Sequence, residues 1–370
     1  MGPFPHNSAP AEISKDNPAG TDGFEFVEFA HPDPVALSAL FEQMGFSAVA
    51  RHRSKNVTLF RQGDVNYIVN AEPDSFAQEF ARKHGPCACA MAWRVADAAH
   101  AYERALSLGA KPARTTAGPM ELNIPAIEGI GGSLIYFVDR YGESGSIYDV
   151  DFEWIKGAEA RPHGAGLFYI DHLTHNVHRG RMDDWTGFYK RLFNFRQIRF
   201  FDIEGRVSGL FSRALTSPCG KIRIPINESA DDHSQIEEYL SAYNGEGIQH
   251  IACGSGDIYA TVEHLRTGGL EFMPAPPDTY YANVEARLPG HGEPLERMKT
   301  NGILVDGEGV VEGGQTRVLL QIFSRTVIGP IFFEFIQRKG DEGFGEGNFK
   351  ALFESIEEDQ IRRGVLREAS

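Results

Sequence analysis

The chain repeats itself, and that limits its folds more than any other feature. Residues 23–46, GFEFVEFAHPDPVALSALFEQMGF, and residues 167–195, LFYIDHLTHNVHRGRMDDWTGFYKRLFNF, each run from a β-rich stretch into a helical one and stop before a further strand. A second pair begins at residue 87, CACAMAWRVADAAHAYERALSLGA, and at residue 248, IQHIACGSGDIYATVEHLRTGGL. Each places a β-rich run before an amphipathic helix opened by Asp97 or Asp257, residues suited to an N-cap. A third pairs SLIYFVDRYG (133–142) with IFFEFIQRKG (331–340), setting Arg140 against Arg338 and Gly142 against Gly340. Two halves built of related β-α-β units account for all three. The boundary falls in IKGAEARPHGAG, residues 155–166, where Gly, Ala and Pro replace apolar periodicity. The expected organisation is a disordered tail over 1–21, one domain over 22–155 and a second over 166–370.

A length of 370 residues suits two domains at about 150 residues each. With 36 basic and 51 acidic residues the net charge is −15, which repels phosphate backbones and excludes nucleic acid as an expected partner. The first twenty residues lack an apolar core and a basic flank, and no window approaches bilayer-spanning length, so a cytoplasmic protein without membrane association is expected. Cys87, Cys89, Cys219 and Cys253 form no C-x-x-C repeat and read as free, mostly buried thiols. Gly220–Lys221 is followed by Ile rather than Ser or Thr, and no strand-linked G-x-G-x-x-G occurs, so nucleotide cofactors lack support.

Chemistry enters where the halves differ. In IFFEFIQRKG a strand would put Phe332, Glu334 and Ile336 on one face, a carboxylate among apolar neighbours. Such a group must be neutralised, paired or bound to a metal. Aligned on shared landmarks, His172 falls opposite Glu28, His250 opposite Ala90 and Glu334 opposite Tyr136. Two imidazoles and one carboxylate on one face of a metal leave the other positions open, the arrangement of non-haem iron(II) oxygenases; zinc and manganese accept the same donors. Pairing of Glu334 with Arg338, which has the same parity, is the alternative. In DHLTHNVH, His172 and His175 face opposite ways and His178 lies about 20 Å along the strand from His172, so at most one of the three belongs to a site. By the same parity Gln249 points away from His250.

The segments YIDHLTHNV, GEGIQHIA, PPDTYY, RLPGHGEP, GILVDG, GPIFFEFIQRKG and GFGEGNFKALFESIE, in this order, resemble the signature segments of the 4-hydroxyphenylpyruvate dioxygenases over about residues 22–365. The resemblance implies an α+β fold of two vicinal oxygen chelate domains. Each is a half-open β-barrel of β-α-β-β-β modules flanked by helices, and a C-terminal helix follows. It implies Fe(II) held by His172, His250 and Glu334 in the second domain alone. The implied reaction converts 4-hydroxyphenylpyruvate and dioxygen to homogentisate and carbon dioxide in tyrosine catabolism, with the substrate as its own reductant and a homo-oligomer, dimer or tetramer, as the assembly.

By the same resemblance Ser212, Asn227, Gln235 and Gln321 orient the substrate, Phe323, Phe332, Phe344 and Phe349 enclose its ring, and Gln249 stands behind the ligands. Near the C-terminus Phe349, Leu352, Phe353 and Ile356 follow helical i, i+3, i+4, i+7 spacing with Asn348 as cap, and the resemblance closes this helix over the iron. Two other readings share the fold: hydroxymandelate synthase, which oxidises the benzylic carbon and against which Phe323 and Asn227 argue, and a binding module without turnover, against which the intact triad argues.

Overall fold

A computed structural model describes residues 8–113, 117–118, 120–204, 208–232, 234–310, 314, 316–345, 347–348, 360–361 and 363–364. Two eight-stranded sheets carry the chain. The first holds β1 (Thr21–Ala30), β2 (Ser47–His52), β3 (Val57–Gln62), β4 (Val65–Asn70), β5 (Cys87–Val95), β6 (Ala126–Glu128), β7 (Leu134–Val138) and β8 (Phe152–Trp154). The second holds β9 (Leu167–Val177), β10 (Arg196–Glu204), β11 (Gly209–Thr216), β12 (Arg223–Ser229), β13 (Gly247–Ser255), β14 (Leu304–Val310), β15 (Thr316–Phe323) and β16 (Phe332–Lys339). Helices α1 (Pro34–Gln43), α2 (Phe76–His84), α3 (Ala98–Ser107), α4 (Tyr148–Asp151), α5 (Met182–Phe193), α6 (Gln235–Tyr243) and α7 (Ile258–Thr267) connect and flank them. No described helix is long and apolar enough to cross a membrane.

The strand orders are β6-β7-β5-β1-β4-β3-β2-β8 and, read from its far edge, β14-β15-β16-β13-β9-β12-β11-β10. Apart from β8 and β14 the two correspond strand for strand, including the parallel pairs β1 with β4 and β9 with β12. The helix starts correspond too. Asp97 accepts from the His100 amide, and Asp257 from the amides of Tyr259 and Ala260, closing backbone donors that a helix start leaves open.

One face of each sheet contributes to a shared core. Tyr67 Oη lies 3.0 Å from Cys253 Sγ, Phe29 packs on Phe333, and Trp93 meets Phe193 edge-on and stacks on Phe195. The other faces carry separate clusters, Phe26, Ile68, Ala92 and Phe152 on the first sheet and Leu304, Phe323 and Phe332 on the second. The four cysteines are free, three of them buried.

One expectation needs correction. The inner end of the predicted tail is packed: Ala19 is fully buried, Asn17 bonds Thr21 through its amide nitrogen, and Asn194 Nδ2 donates to the Asp16 carbonyl. Residues 1–7 lie outside the described residues. The Gly-rich boundary over 155–166 packs against the first domain. Gly63 N donates to Pro162 O, and Gly164 (φ +53°) passes so close to Gly45 that a Cβ there would lie 2.1 Å from its carbonyl oxygen. Small residues at this boundary permit close packing, which composition alone does not distinguish from looseness.

Candidate active site

Register determines what the second sheet presents. Along β9 and β13, Ala252 stands opposite His172 and Cys253 opposite Ile170, so Asp171 is an extra residue. Likewise Ile248 stands opposite His175 and His250 opposite Thr174, leaving Gln249 extra on β13. A bulge of this kind breaks the alternation of faces and re-aims side chains. Each extra residue then reaches the histidine that follows it: Asp171 Oδ1 lies 2.9 Å from His172 Nδ1, and Gln249 Oε1 lies 3.1 Å from His250 Nδ1. Gln249 therefore does not point away from His250, because the bulge overrides the parity that the sequence implies.

With both Nδ1 atoms occupied, the Nε2 atoms face Glu334, which β16 places opposite Ala252. Glu334 Oε2 is 3.1 Å from His172 Nε2 and 3.4 Å from His250 Nε2, and one donor atom from each residue falls within 4.8 Å of the others. Donors about 2.1 Å from one ion at near right angles would sit about 3 Å apart. The three side chains are buried, and a metal ion fits the donor set. Glu334 is supported in turn: Gln321 Nε2 donates to its Oε1 at 2.7 Å, and Asn348 Nδ2 donates to Gln321 Oε1 at 3.0 Å. Burial opposes ionisation of Glu334, but the neighbouring imidazoles outweigh it and hold the carboxyl down to about 2. Burial also opposes charge on His172, yet Glu334 and Asp171 raise its pKa; at His250 burial prevails and lowers it.

The pairing of Glu334 with Arg338, open from sequence, does not occur. Arg338 forks onto Asp171 instead, Nε to Oδ2 at 2.7 Å and Nη2 to Oδ1 at 2.8 Å, and its Nη1 reaches the carbonyls of Asp341 and Gly343. Arg223 adds a longer contact to Asp171 at 3.5 Å and an ion pair to Glu342. Burial opposes the Asp171 charge, but Arg338 and then Arg223 outweigh it and hold the carboxyl well below its ordinary value. Sequence reasoning missed Asp171, Arg223 and Glu342. The one signal was an Asp directly before a candidate ligand, and alternation assigned it to the wrong face.

The other histidines stand apart from the cluster. His175 Nε2 lies 2.7 Å from Tyr189 Oη in the shared core, where burial lowers its pKa to about 3, and His178 meets Glu246 through its backbone amide. Phe332 stacks on His250 at 4.7 Å, Phe344 meets His172 edge-on at 5.5 Å, and Phe323 packs against Phe332. Ser212 and Asn227 are register partners on β11 and β12. Ser212 Oγ, Asn227 Oδ1 and Asn176 Nδ2 are buried without a hydrogen-bond partner among the described residues, as polar groups awaiting a ligand would be. Gln235, the first residue of α6, lines a cavity of about 490 Å³ with Tyr239, Gln249, Met273, Phe332 and Arg363. Phe349, Leu352, Phe353 and Ile356, with the helix expected from them, lie outside the described residues. Beyond them Gln360 and Arg363 bind Glu238 on α6 at the edge of this cavity.

Register also corrects the alignment of the halves. Ala92 stands opposite Phe26 as Ala252 stands opposite His172, so Phe26, not Glu28, occupies the place of His172; Glu28 takes that of Thr174. Ala90 and Tyr136 do match His250 and Glu334, since Ala90 pairs with Leu134 and Ala92 with Tyr136 as His250 pairs with Phe332 and Ala252 with Glu334.

Comparison with known proteins decides the family. A profile described as "Hydroxyphenylpyruvate dioxygenase, HPPD, N-terminal" matches residues 15–153, and one for the glyoxalase/bleomycin resistance protein/dioxygenase superfamily matches residues 169–291. A 4-hydroxyphenylpyruvate dioxygenase of Pseudomonas aeruginosa is 62% identical over 97% of this chain and 100% of its own. The chain belongs to the 4-hydroxyphenylpyruvate dioxygenase family. Another member, from Legionella pneumophila, is 52% identical over 97% of this chain and 100% of its own. A solved 4-hydroxymandelate synthase mutant from Streptomyces coelicolor superposes with a TM-score of 0.79 over 92% of this chain and 99% of its own; at 23% identity it attests the shared vicinal oxygen chelate fold. Within the family fold, the His172, His250 and Glu334 cluster lies on the second sheet.

Proposed function

We propose that this chain converts 4-hydroxyphenylpyruvate and dioxygen to homogentisate and carbon dioxide, with Fe(II) held by His172, His250 and Glu334. The observation that carries the reading is a buried His, His, Glu set in which each donor is held from behind, by Asp171, Gln249 and Gln321. Outer partners of this kind fix ring orientation and donor strength. Bound there, iron(II) would supply the redox chemistry.

The protein's own work is positioning and exclusion. Ser212 Oγ and Asn227 Oδ1 offer buried hydrogen-bonding atoms without a partner among the described residues, and Gln235 lines the cavity with Gln249 and Phe332. Gln321 acts through Glu334, since its amide is already engaged there and with Asn348. Phe323, Phe332 and Phe344 wall the ligands with apolar surface, which holds an aryl group beside them and keeps water away. Phe332 lies against His250 and Phe323 backs Phe332, an apolar wall that suits the aryl group of the substrate. Atoms balance without a second reductant. The substrate loses a single carbon with its two oxygens as carbon dioxide, and the two atoms of dioxygen replace those oxygens in homogentisate, with no change in hydrogen.

The test is product identification after anaerobic loading with iron(II), addition of 4-hydroxyphenylpyruvate and admission of air, without 2-oxoglutarate or nicotinamide. Homogentisate with one carbon dioxide released per dioxygen consumed is expected. Hydroxymandelate as the main product would move the chain to the sister activity, and binding without oxygen uptake would reduce it to a binding module.

A further inference from the structure

The first sheet has a cavity of its own, about 330 Å³, lined by Phe26, Glu28, Ile68, Tyr136 and Phe152 from the face that corresponds to the candidate active site. Its rim is made by His52, Lys55, Glu72, Asp74, Glu121 and Asp151. A strap that includes residues 117–118 and 120–124 is pinned across it. Glu121 accepts from Ser54, Lys55 and Gly118, and Asp151 accepts from the Leu122 amide. The volume sits at the small end of ligand pockets.

Among the described residues the charge in this cavity is unbalanced. Five acids line it, Glu28, Glu72, Asp74, Glu121 and Asp151, against Lys55 and His52, and Lys55 Nζ lies 2.6 Å from Glu121 Oε2. Glu28 is buried, its Oε1 accepts from Asn70 Nδ2 at 2.7 Å, and no cation lies within ion-pair distance of it among the described residues. On the second sheet the corresponding surface holds its carboxylate against two histidines. Here Ala90 and Phe26 stand where those histidines would be, and burial raises the pKa of Glu28 against the bond from Asn70 and the charge of Lys55, so a ligand that brings positive charge would hold this carboxylate ionised. Phe26 and Tyr136, with ring centroids 5.7 Å apart, add faces suited to a cation and to an aryl or alkyl body.

We propose that this cavity is a binding site for a small organic ammonium ion with an aryl or alkyl body, its nitrogen seated at the Glu28 carboxylate and its apolar part among Phe26, Tyr136 and Phe152. The site is separate from the metal cluster, since the two lie on faces turned away from the shared core. Occupancy stabilises residues 120–124 of the strap, because the ligand fills the space beneath them.

Calorimetric titration of the iron-loaded full chain with phenethylamine, phenylacetate and phenethyl alcohol tests this. Saturable binding of phenethylamine is expected, at least about tenfold tighter than that of the anion or the alcohol, a factor equivalent to about 1.4 kcal/mol. Glu28→Gln, which keeps shape and the bond from Asn70, should weaken amine binding about tenfold while product formation from 4-hydroxyphenylpyruvate stays unchanged. Hydrogen exchange on the unmodified protein gives a second readout independent of that variant's folding. Phenethylamine should slow exchange over 52–57 and 65–77 and leave 316–345 unaffected. No saturable binding, preference for the anion, displacement by 4-hydroxyphenylpyruvate, or protection confined to 316–345 would each overturn the proposal.

Discussion

The two sheets share strand order, pairing and even bulges, yet only one assembles a metal-ligating cluster among the described residues. Glu25 is the extra residue on β1 and Cys89 on β5, at the places of Asp171 and Gln249. Glu25 also has its own arginine, with Arg94 Nε at 2.6 Å, as Asp171 has Arg338. The frame that re-aims side chains is thus present twice. The difference lies in what occupies it: Phe26, Ala90 and Tyr136 on one sheet, His172, His250 and Glu334 on the other. Geometry of the backbone permits a centre in either half, and side-chain chemistry decides which half has one.

The strongest break of this comparison is Glu334→Ala. It removes the anionic donor, so metal affinity should fall by more than the roughly 100-fold that loss of a supporting partner costs, and turnover should vanish. The fold should persist, because Glu334 is not the counterion of a buried arginine. Metal analysis and thermal unfolding of the metal-free variant check both halves of this statement.

Asp171→Asn should come next. It keeps the shape beside His172 but removes the charge between Arg338 and Arg223, whose side chains are 2% and 5% exposed. Metal-free protein should lose about 3–5 kcal/mol in denaturant unfolding, and metal affinity should fall about 10–100-fold in chelator competition. Unchanged stability would show that the arginines are satisfied elsewhere. Gln249→Ala is expected to be milder, since it frees His250 Nδ1 without stranding a charge: metal affinity should drop about tenfold, with a stability loss near 1 kcal/mol.

Much of this was legible in the sequence. The duplicated pattern implied two related halves, Asp97 and Asp257 marked helix starts, and the acid in IFFEFIQRKG pointed to Glu334. What was not legible follows from the bulges. A β-bulge inserts one residue without a composition signal, so alternation misassigned Gln249 and hid Asp171, and counting from landmarks set Glu28 where register sets Phe26. The arginine that parity offered to Glu334 serves Asp171 for the same reason.

The central claim is that one sheet alone holds the metal, at His172, His250 and Glu334. Anomalous diffraction at the iron edge from crystals of the iron(II)-loaded enzyme addresses it directly. The account predicts a single strong peak per chain, between the Nε2 atoms of His172 and His250 and the Glu334 carboxylate. A peak beside Phe26, Ala90 and Tyr136, or one on the second sheet away from these three side chains, would contradict it.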